Sequence, residues 1–181
     1  MRLFTGIPVN EPFQNASKKL SLLNQRISGF RWVPDVNLHV TTCFIGESAA
    51  SNLLRLTGLT RTVVSMASGI ILELEDICVW PRKNPYMVWA LFRENEGFTL
   101  LYRNLEVALI GNAGKGAVKP HVTLARFKEG AAFKELNLTA ADFPTRLEGS
   151  ELILYESVLL PKGPDYRIIE RFPIPNRLPN P

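Results

Sequence analysis

An apolar run over residues 2–9, closed by Pro8 and Asn10, predicts an opening strand. The spacing then changes to threes and fours. Phe13, Ala16, Leu20, Leu23 and Ile27 share one face of a predicted helix over 11–28, with Lys18, Lys19 and Gln25 on other faces and Gly29 ending it. Residues 31–35 read as a loop and 38–45 as a strand. A helix is expected within 48–66, weakened or divided at Gly58. Strands are predicted over 69–80 and 86–93, separated by the turn signal Pro81-Arg82-Lys83-Asn84-Pro85. Leu100, Leu101, Leu105, Ala108 and Leu109 give the apolar face of a helix over 97–110, and a loop with Gly111, Gly114 and Gly116 follows. A strand over 121–127 comes next. Strands 151–160 and 165–172 read as a hairpin through Pro161-Lys162-Gly163-Pro164. The Pro-rich tail, 174–181, is expected to be extended and poorly ordered.

The order strand, helix, loop, strand occurs twice, ending once at 38–45 and again at 121–127. That repeat predicts an α+β fold of two related lobes, each with an antiparallel sheet and helices on its outer face, with a cleft between them. One bilobal domain is expected to span 1–181. A length of 181 residues with 46% hydrophobic and 21% charged content is enough for a substantial core and argues against disorder. No apolar run reaches the roughly 18 residues of a membrane span, so no membrane association is expected. The N-terminus lacks a long apolar stretch and reads as a strand rather than a signal peptide, which makes a cytoplasmic location the expectation. A net charge of +4 leans mildly toward an anionic partner. Cys43 and Cys78 lie in apolar runs and read as free buried thiols.

The chemistry concentrates in two tripeptides. The chain has only two histidines, and they open His39-Val40-Thr41 and His121-Val122-Thr123. With ten threonines in the chain, both histidines would carry Thr at the second following position in about 0.3% of shuffled sequences. On a strand, residues i and i+2 face the same side, with Cα atoms about 6.5 to 7 Å apart. Each pair therefore presents an imidazole and a hydroxyl together, and two such pairs facing each other can surround a phosphate. In-line displacement at phosphorus needs a base for the attacking water and an acid for the leaving oxygen, and histidine serves either role near neutral pH. Threonine hydroxyls can donate to the non-bridging oxygens as charge builds. The blander alternative is two satisfied, partly buried strand histidines. A zinc site is disfavoured, because His39 and Cys43 on one strand lie about 13 Å apart and no metal-binding spacing occurs. Neither a Gly-x-Ser-x-Gly nor a Gly-x-x-x-x-Gly-Lys motif is present. No metal or other cofactor is expected.

The paired strands resemble those of the 2H phosphoesterase superfamily, and in detail its bacterial and archaeal RNA 2′,3′-cyclic phosphodiesterases, also called 2′-5′ RNA ligases. Arg2-Leu3-Phe4, Trp32-Val33-Pro34, Asn37 to Thr41 and Phe44-Ile45-Gly46-Glu47 are similar to the family's first half. Lys119-Pro120-His121-Val122-Thr123-Leu124-Ala125-Arg126, Tyr155-Glu156-Ser157 and Tyr166 to Pro173 are similar to its second. The resemblance implies hydrolysis of RNA 2′,3′-cyclic phosphate ends to 2′-phosphomonoesters without metal, with reversible 2′-5′ ligation as a further activity. It implies His39 as proton donor and His121 as proton acceptor, with Thr41 and Thr123 on the phosphate. Geometry on a strand leaves donor and acceptor interchangeable. Arg126, Trp32 and Lys119 are accessory candidates for substrate binding, with Lys115 on the same rim. On a regular strand Arg126 and Phe44 both face away from their motifs; a bulge or a position at the cleft rim could still bring Arg126 to phosphate or RNA, whereas Phe44 reads as core. The expected partners are RNA bearing cyclic phosphate ends or cyclic nucleotides, and the expected state is a monomer. A non-catalytic binder of RNA ends or cyclic nucleotides on the same fold is the alternative, as is a 2H enzyme acting on another cyclic phosphate or 2′-5′ linkage.

Overall fold

The computed structural model describes residues 1–128, 130–160 and 163–176. Each helix starts and stops where the local chemistry directs. Helix α1 (Glu11–Leu23) is capped by Asn10, whose side chain accepts from the Phe13 amide at 3.2 Å, and it buries Phe13, Ala16, Ser17 and Leu20 along one stripe. Helix α2 (Leu53–Ser65) runs unbroken through Gly58, which faces open space. Helix α3 (Glu96–Ile110) is capped by Asn95 and closed by Gly111 in the left-handed region.

The strands are β1 (Arg2–Pro8), β2 (Phe30–Trp32), β3 (His39–Glu47), β4 (Ile70–Trp80), β5 (Met87–Phe92), β6 (His121–Phe127), β7 (Arg146–Gly149), β8 (Glu151–Leu160) and β9 (Gly163–Pro173). They form a sheet in the order β7-β4-β5-β6-β3-β1-β8-β9, with β2 also pairing β6. All pairings among the described residues are antiparallel. The fold is α+β, built from two halves of one sheet, with β1-α1-β3 repeated as β5-α3-β6. The halves meet at a single registered pair, Val40 opposite Val122. Both residues are fully buried, and they belong to a large core that includes Phe13, Leu56, Phe92, Leu105, Leu124 and Leu152. Strand β5 is buried at every position and forms the centre of its half.

Five features depart from the expected pattern. Helix α1 stops at Leu23 rather than 28. There the buried Asn24 amide donates to the Leu20 carbonyl at 2.9 Å and to Asn137 O at 3.1 Å, while its oxygen accepts from the Asn137 amide at 2.8 Å. This side chain replaces the next helical turn with a tie to a distant loop. Arg31 and Trp32, expected to open a loop, lie in β2, and β7 was not anticipated. Both are short strands recruited by longer neighbours, β6 and β4. Of the tail, Ile174 is buried and donates to Ser150 O at 2.9 Å, so the chain is anchored there. The expected turn at 161–162 and the remainder of the tail, 177–181, lie outside the described residues. Cys43 is buried as expected, whereas Cys78 on β4 is half-exposed, and both are free. No described helix is long and apolar enough to cross a membrane.

Candidate active site

The four motif residues flank the Val40–Val122 pair. Val40 and Val122 point into the core, so their neighbours His39, Thr41, His121 and Thr123 point the other way and are partly exposed on one face. Continuing the antiparallel register by one residue each way sets His39 across from Thr123 and Thr41 across from His121. The arrangement is a local two-fold about the valine pair, and it brings the two imidazoles within electrostatic reach of each other.

Both rings are held the same way. His39 Nδ1 lies 2.7 Å from Asn37 O, and His121 Nδ1 lies 2.8 Å from Lys119 O. A carbonyl oxygen only accepts, so Nδ1 carries the proton in each ring and Nε2 is left with its lone pair. His39 Nε2 accepts from the Thr41 hydroxyl at 3.1 Å. Asn37 also donates through its amide to Pro164 O at 3.1 Å, which ties the start of β9 to the residue that orients His39.

The two rings differ in what surrounds them. His39 sits against an aromatic cluster on the cleft face, with ring centroids 4.9 Å from Phe4, 5.8 Å from Tyr155 and 5.4 Å edge-on from Tyr166. On β1, Gly6 is registered with Thr41, and a Cβ there would lie 2.9 Å from His39 Cδ2. In the other half the residue registered with Thr123 is Trp89, and its ring stacks on His121 at 3.6 Å and 18°. Trp80 stacks behind it at 4.7 Å. Burial pushes the His39 imidazole down to about 4, against the raising effect of the Asn37 carbonyl and with His121 and Arg126 pushing it further down. Burial also lowers His121, opposed by the Lys119 carbonyl and aided by Arg126. Both rings are therefore neutral in the free protein at pH 7.

Twin bulges shape the face beyond each motif. The register slips between Thr5 and Gly6 opposite Thr42, and between Val88 and Trp89 opposite Leu124. After each slip the alternation inverts, so Phe44 and Arg126 rejoin the face of their histidine and threonine and are exposed. The Thr42 hydroxyl is buried against Thr5 Oγ1 at 2.7 Å. Phe44 is therefore not core: it is 69% exposed, with its ring 6.2 Å from Phe4. Arg126 acts electrostatically on both histidines. Trp32, registered with Ala125, packs against the core instead of the cleft. Lys119 meets the site through its carbonyl, and its side chain and that of Lys115 are exposed. Gly6, Trp89 and the Phe4–Tyr155–Tyr166 cluster carried no signal of their own as site residues, because their roles arise from cross-strand register. Among the described residues no three His, Cys, Asp or Glu side chains converge to hold a metal ion.

Two imidazoles on facing strands, each beside a threonine, form an arrangement suited to acid–base chemistry at a phosphate. The family described as LigT like Phosphoesterase matches residues 10–89, a span that includes the first His-Val-Thr. The chain is 29% identical over 181 residues to a Thermus thermophilus protein named RNA 2′,3′-cyclic phosphodiesterase, covering 95% of this chain and 89% of that one. It is 28% identical over 175 residues to a Thermotoga maritima protein of the same name, covering 93% of each. The crystal structure of TT0787 from Thermus thermophilus superposes with a TM-score of 0.83 at 26% identity, covering 98% of this chain and 100% of that chain. Escherichia coli LigT in its apo form superposes at 0.76 with 23% identity, covering 95% and 96%. Over nearly its whole length the chain is similar to proteins named RNA 2′,3′-cyclic phosphodiesterase, and over residues 10–89 to the LigT-like phosphoesterases.

Proposed function

We propose that this phosphoesterase hydrolyses RNA 2′,3′-cyclic phosphate ends to 2′-phosphomonoesters, and that it does so without a metal ion. The observation that carries the reading is the pair of Nδ1-anchored imidazoles related by the local two-fold at Val40–Val122. The Thr41 and Thr123 hydroxyls donate to the non-bridging oxygens of the cyclic phosphate. His121, neutral and with Nε2 free, takes a proton from water as the water oxygen bonds to phosphorus. The bond from phosphorus to the 3′ oxygen breaks, and His39, as imidazolium, gives its Nε2 proton to that oxygen. The assignment of donor to His39 and acceptor to His121 follows the resemblance of the two motifs to those of the 2H phosphoesterases. Burial disfavours the charged form that His39 needs, but the phosphate's negative charge favours it, so the proton is taken up with the substrate. Arg126, on the same face, adds positive charge beside the phosphate. When a 5′-hydroxyl replaces water as the nucleophile, the same groups catalyse 2′-5′ ligation: His121 takes the hydroxyl proton and His39 protonates the departing 3′ oxygen, and by microscopic reversibility they also cleave that linkage. The working form is a monomer in the cytoplasm, a single bilobal domain.

The test is product identification after incubating chelator-treated protein with a nucleoside 2′,3′-cyclic phosphate and with an RNA oligomer ending in one. Formation of the 2′-phosphate at an undiminished rate is expected. Formation of the 3′-phosphate, or loss of turnover on chelation, would refute the reading.

A further inference from the structure

Arg31 on β2 and Arg126 on β6 are direct cross-strand partners, and both are exposed. Residues directly opposite on an antiparallel pair share a face, with Cβ atoms about 4.5 to 5.5 Å apart, and like charges in that position destabilise the sheet. The bulge at Leu124 sets this face as the one that carries His121 and Thr123. The same pair extends toward the other half of the site. The guanidinium groups of Arg126, Arg2 and Arg31 all act on the Tyr166 phenol, whose ring meets His39 edge-on. Arg31 reaches toward the start of β9, with Nη1 3.8 Å from where a Cβ on Gly163 would stand. Five other arginines, Arg61, Arg103, Arg146, Arg167 and Arg171, each face a carboxylate. Among the described residues no carboxylate stands within ion-pair distance of Arg31, Arg126 or Arg2. Two neighbouring planar guanidiniums without a counter-ion offer fork-shaped donors suited to phosphate oxygens.

We propose that Arg31 and Arg126, together with the Tyr166 hydroxyl, form a second phosphate subsite that takes the phosphodiester on the 5′ side of the terminal nucleotide. The proposal rests on the phosphodiesterase reading of the His-Thr cleft. Thr123 and Arg126 are three residues apart, at most about 10 Å along a strand, and the long arginine side chains span the rest of one nucleotide step. The subsite makes a polynucleotide end a better substrate than an isolated cyclic nucleotide, by recognising the backbone and not the base.

The experiment compares three substrates: a nucleoside 2′,3′-cyclic phosphate with a 5′-hydroxyl, the same nucleotide with a 5′-phosphate, and an oligoribonucleotide ending in the cyclic phosphate. The wild type is expected to favour the two substrates with a 5′ phosphate by about tenfold or more in kcat/KM. Arg31→Ala brings that ratio close to one and lowers the salt dependence for the oligomer by roughly one phosphate contact. Arg31→Lys retains part of the preference, because the charge remains without the fork. No preference in the wild type, or an unchanged ratio in Arg31→Ala, would overturn the proposal. If Arg31→Ala lowers turnover of all three substrates equally, Arg31 serves the scissile phosphate and the second subsite is refuted. A parallel binding arm uses nucleoside 2′-phosphates with and without a 5′-phosphate. If the wild type turns over none of the cyclic substrates, the phosphodiesterase reading fails. The binding arm still decides the subsite: a 5′-phosphate preference lost in Arg31→Ala supports it, and equal binding overturns it.

Discussion

Gly6→Ala adds one methyl group at the point where β1 passes beneath His39. The new Cβ would stand 2.9 Å from His39 Cδ2, 3.4 Å from His39 Cγ and 3.2 Å from Val40 O. Carbon atoms in comfortable contact are about 3.5 to 4.0 Å apart, so something must move by roughly 0.6 to 1 Å. The carbonyl cannot yield easily, because Val40 is registered both with Ile7 and with Val122 at the junction of the halves. The imidazole moves instead, and its space is bounded by Phe4 and Tyr166 and by the 2.7 Å bond from Nδ1 to Asn37 O. Overpacking of this kind costs about 1 to 3 kcal/mol of stability, whereas a displacement near 1 Å of a reacting group costs on the order of 100-fold in rate. The expected result is a folded protein with modestly lower Tm, a kcat reduced by about 10- to 100-fold and a KM changed far less. Steady-state kinetics with a 2′,3′-cyclic nucleotide, alongside thermal melts, separate the two effects. A Gly6→Ala protein with kcat within threefold of wild type would show that the position of the His39 ring does not limit catalysis.

Other outcomes follow from the same geometry. Gly58→Ala fills open space on α2 and should raise stability by up to about 1 kcal/mol without changing kcat, as melts and kinetics will show. Trp89→Leu removes the ring stacked at 3.6 Å on His121. The indole face favours the imidazolium form, so its loss should lower kcat and move the acidic limb of the pH–rate profile to lower pH. A limb that stays in place would limit Trp89 to packing. Because burial holds both histidines below their usual value, with His39 near 4, kcat/KM should form a bell centred below pH 6.5. Its two limbs belong to the coupled pair, and the kcat bell should lie at higher pH, since bound phosphate raises both groups. An unshifted kcat/KM bell centred at or above pH 7 would contradict this. The unfolded chain binds protons that folded His39 refuses, so stability is full above about pH 6.5 and falls as pH drops toward 4, by at most about 3 kcal/mol from this group. His39→Gln should flatten that part of the Tm–pH curve.

Much of this molecule can be read along the chain, and the remainder depends on pairing between distant strands. The amphipathic stripe of α1 and the repeated order around the two His-Val-Thr strands are local, and they indicated the α+β repeat and the four residues that the fold brings to one face. The end of α1 was misread because Asn24 owes its effect to Asn137, more than 100 positions away. Phe44 was misread and Arg126 left open for a different reason. Strict alternation places both opposite their motifs, and only the slip in register against β1 and β5 returns them to the cleft. Such a slip depends on the partner strand as much as on the strand that bears it. Trp32 illustrates the converse. Its place beside the motif made it an accessory candidate for substrate binding, but pairing with β6 turned it to the core and turned Arg31 outward. Gly6 and Trp89 occupy equivalent registers under the two histidines, and neither residue type advertises that position.

The most direct test of the central claim is a leaving-group experiment on His39→Ala and His121→Ala. Each variant is assayed with a nucleoside 2′,3′-cyclic phosphate and with its analogue bearing sulfur at the 3′ bridging position, a leaving group that departs without a proton. On the oxygen substrate both variants should lose several orders of magnitude. On the sulfur substrate His39→Ala should recover to near the wild-type rate, while His121→Ala, lacking the base for water, should remain slow. Recovery of His121→Ala in place of His39→Ala would reverse the roles, and full activity of either variant on the oxygen substrate would contradict catalysis by the paired His-Val-Thr strands.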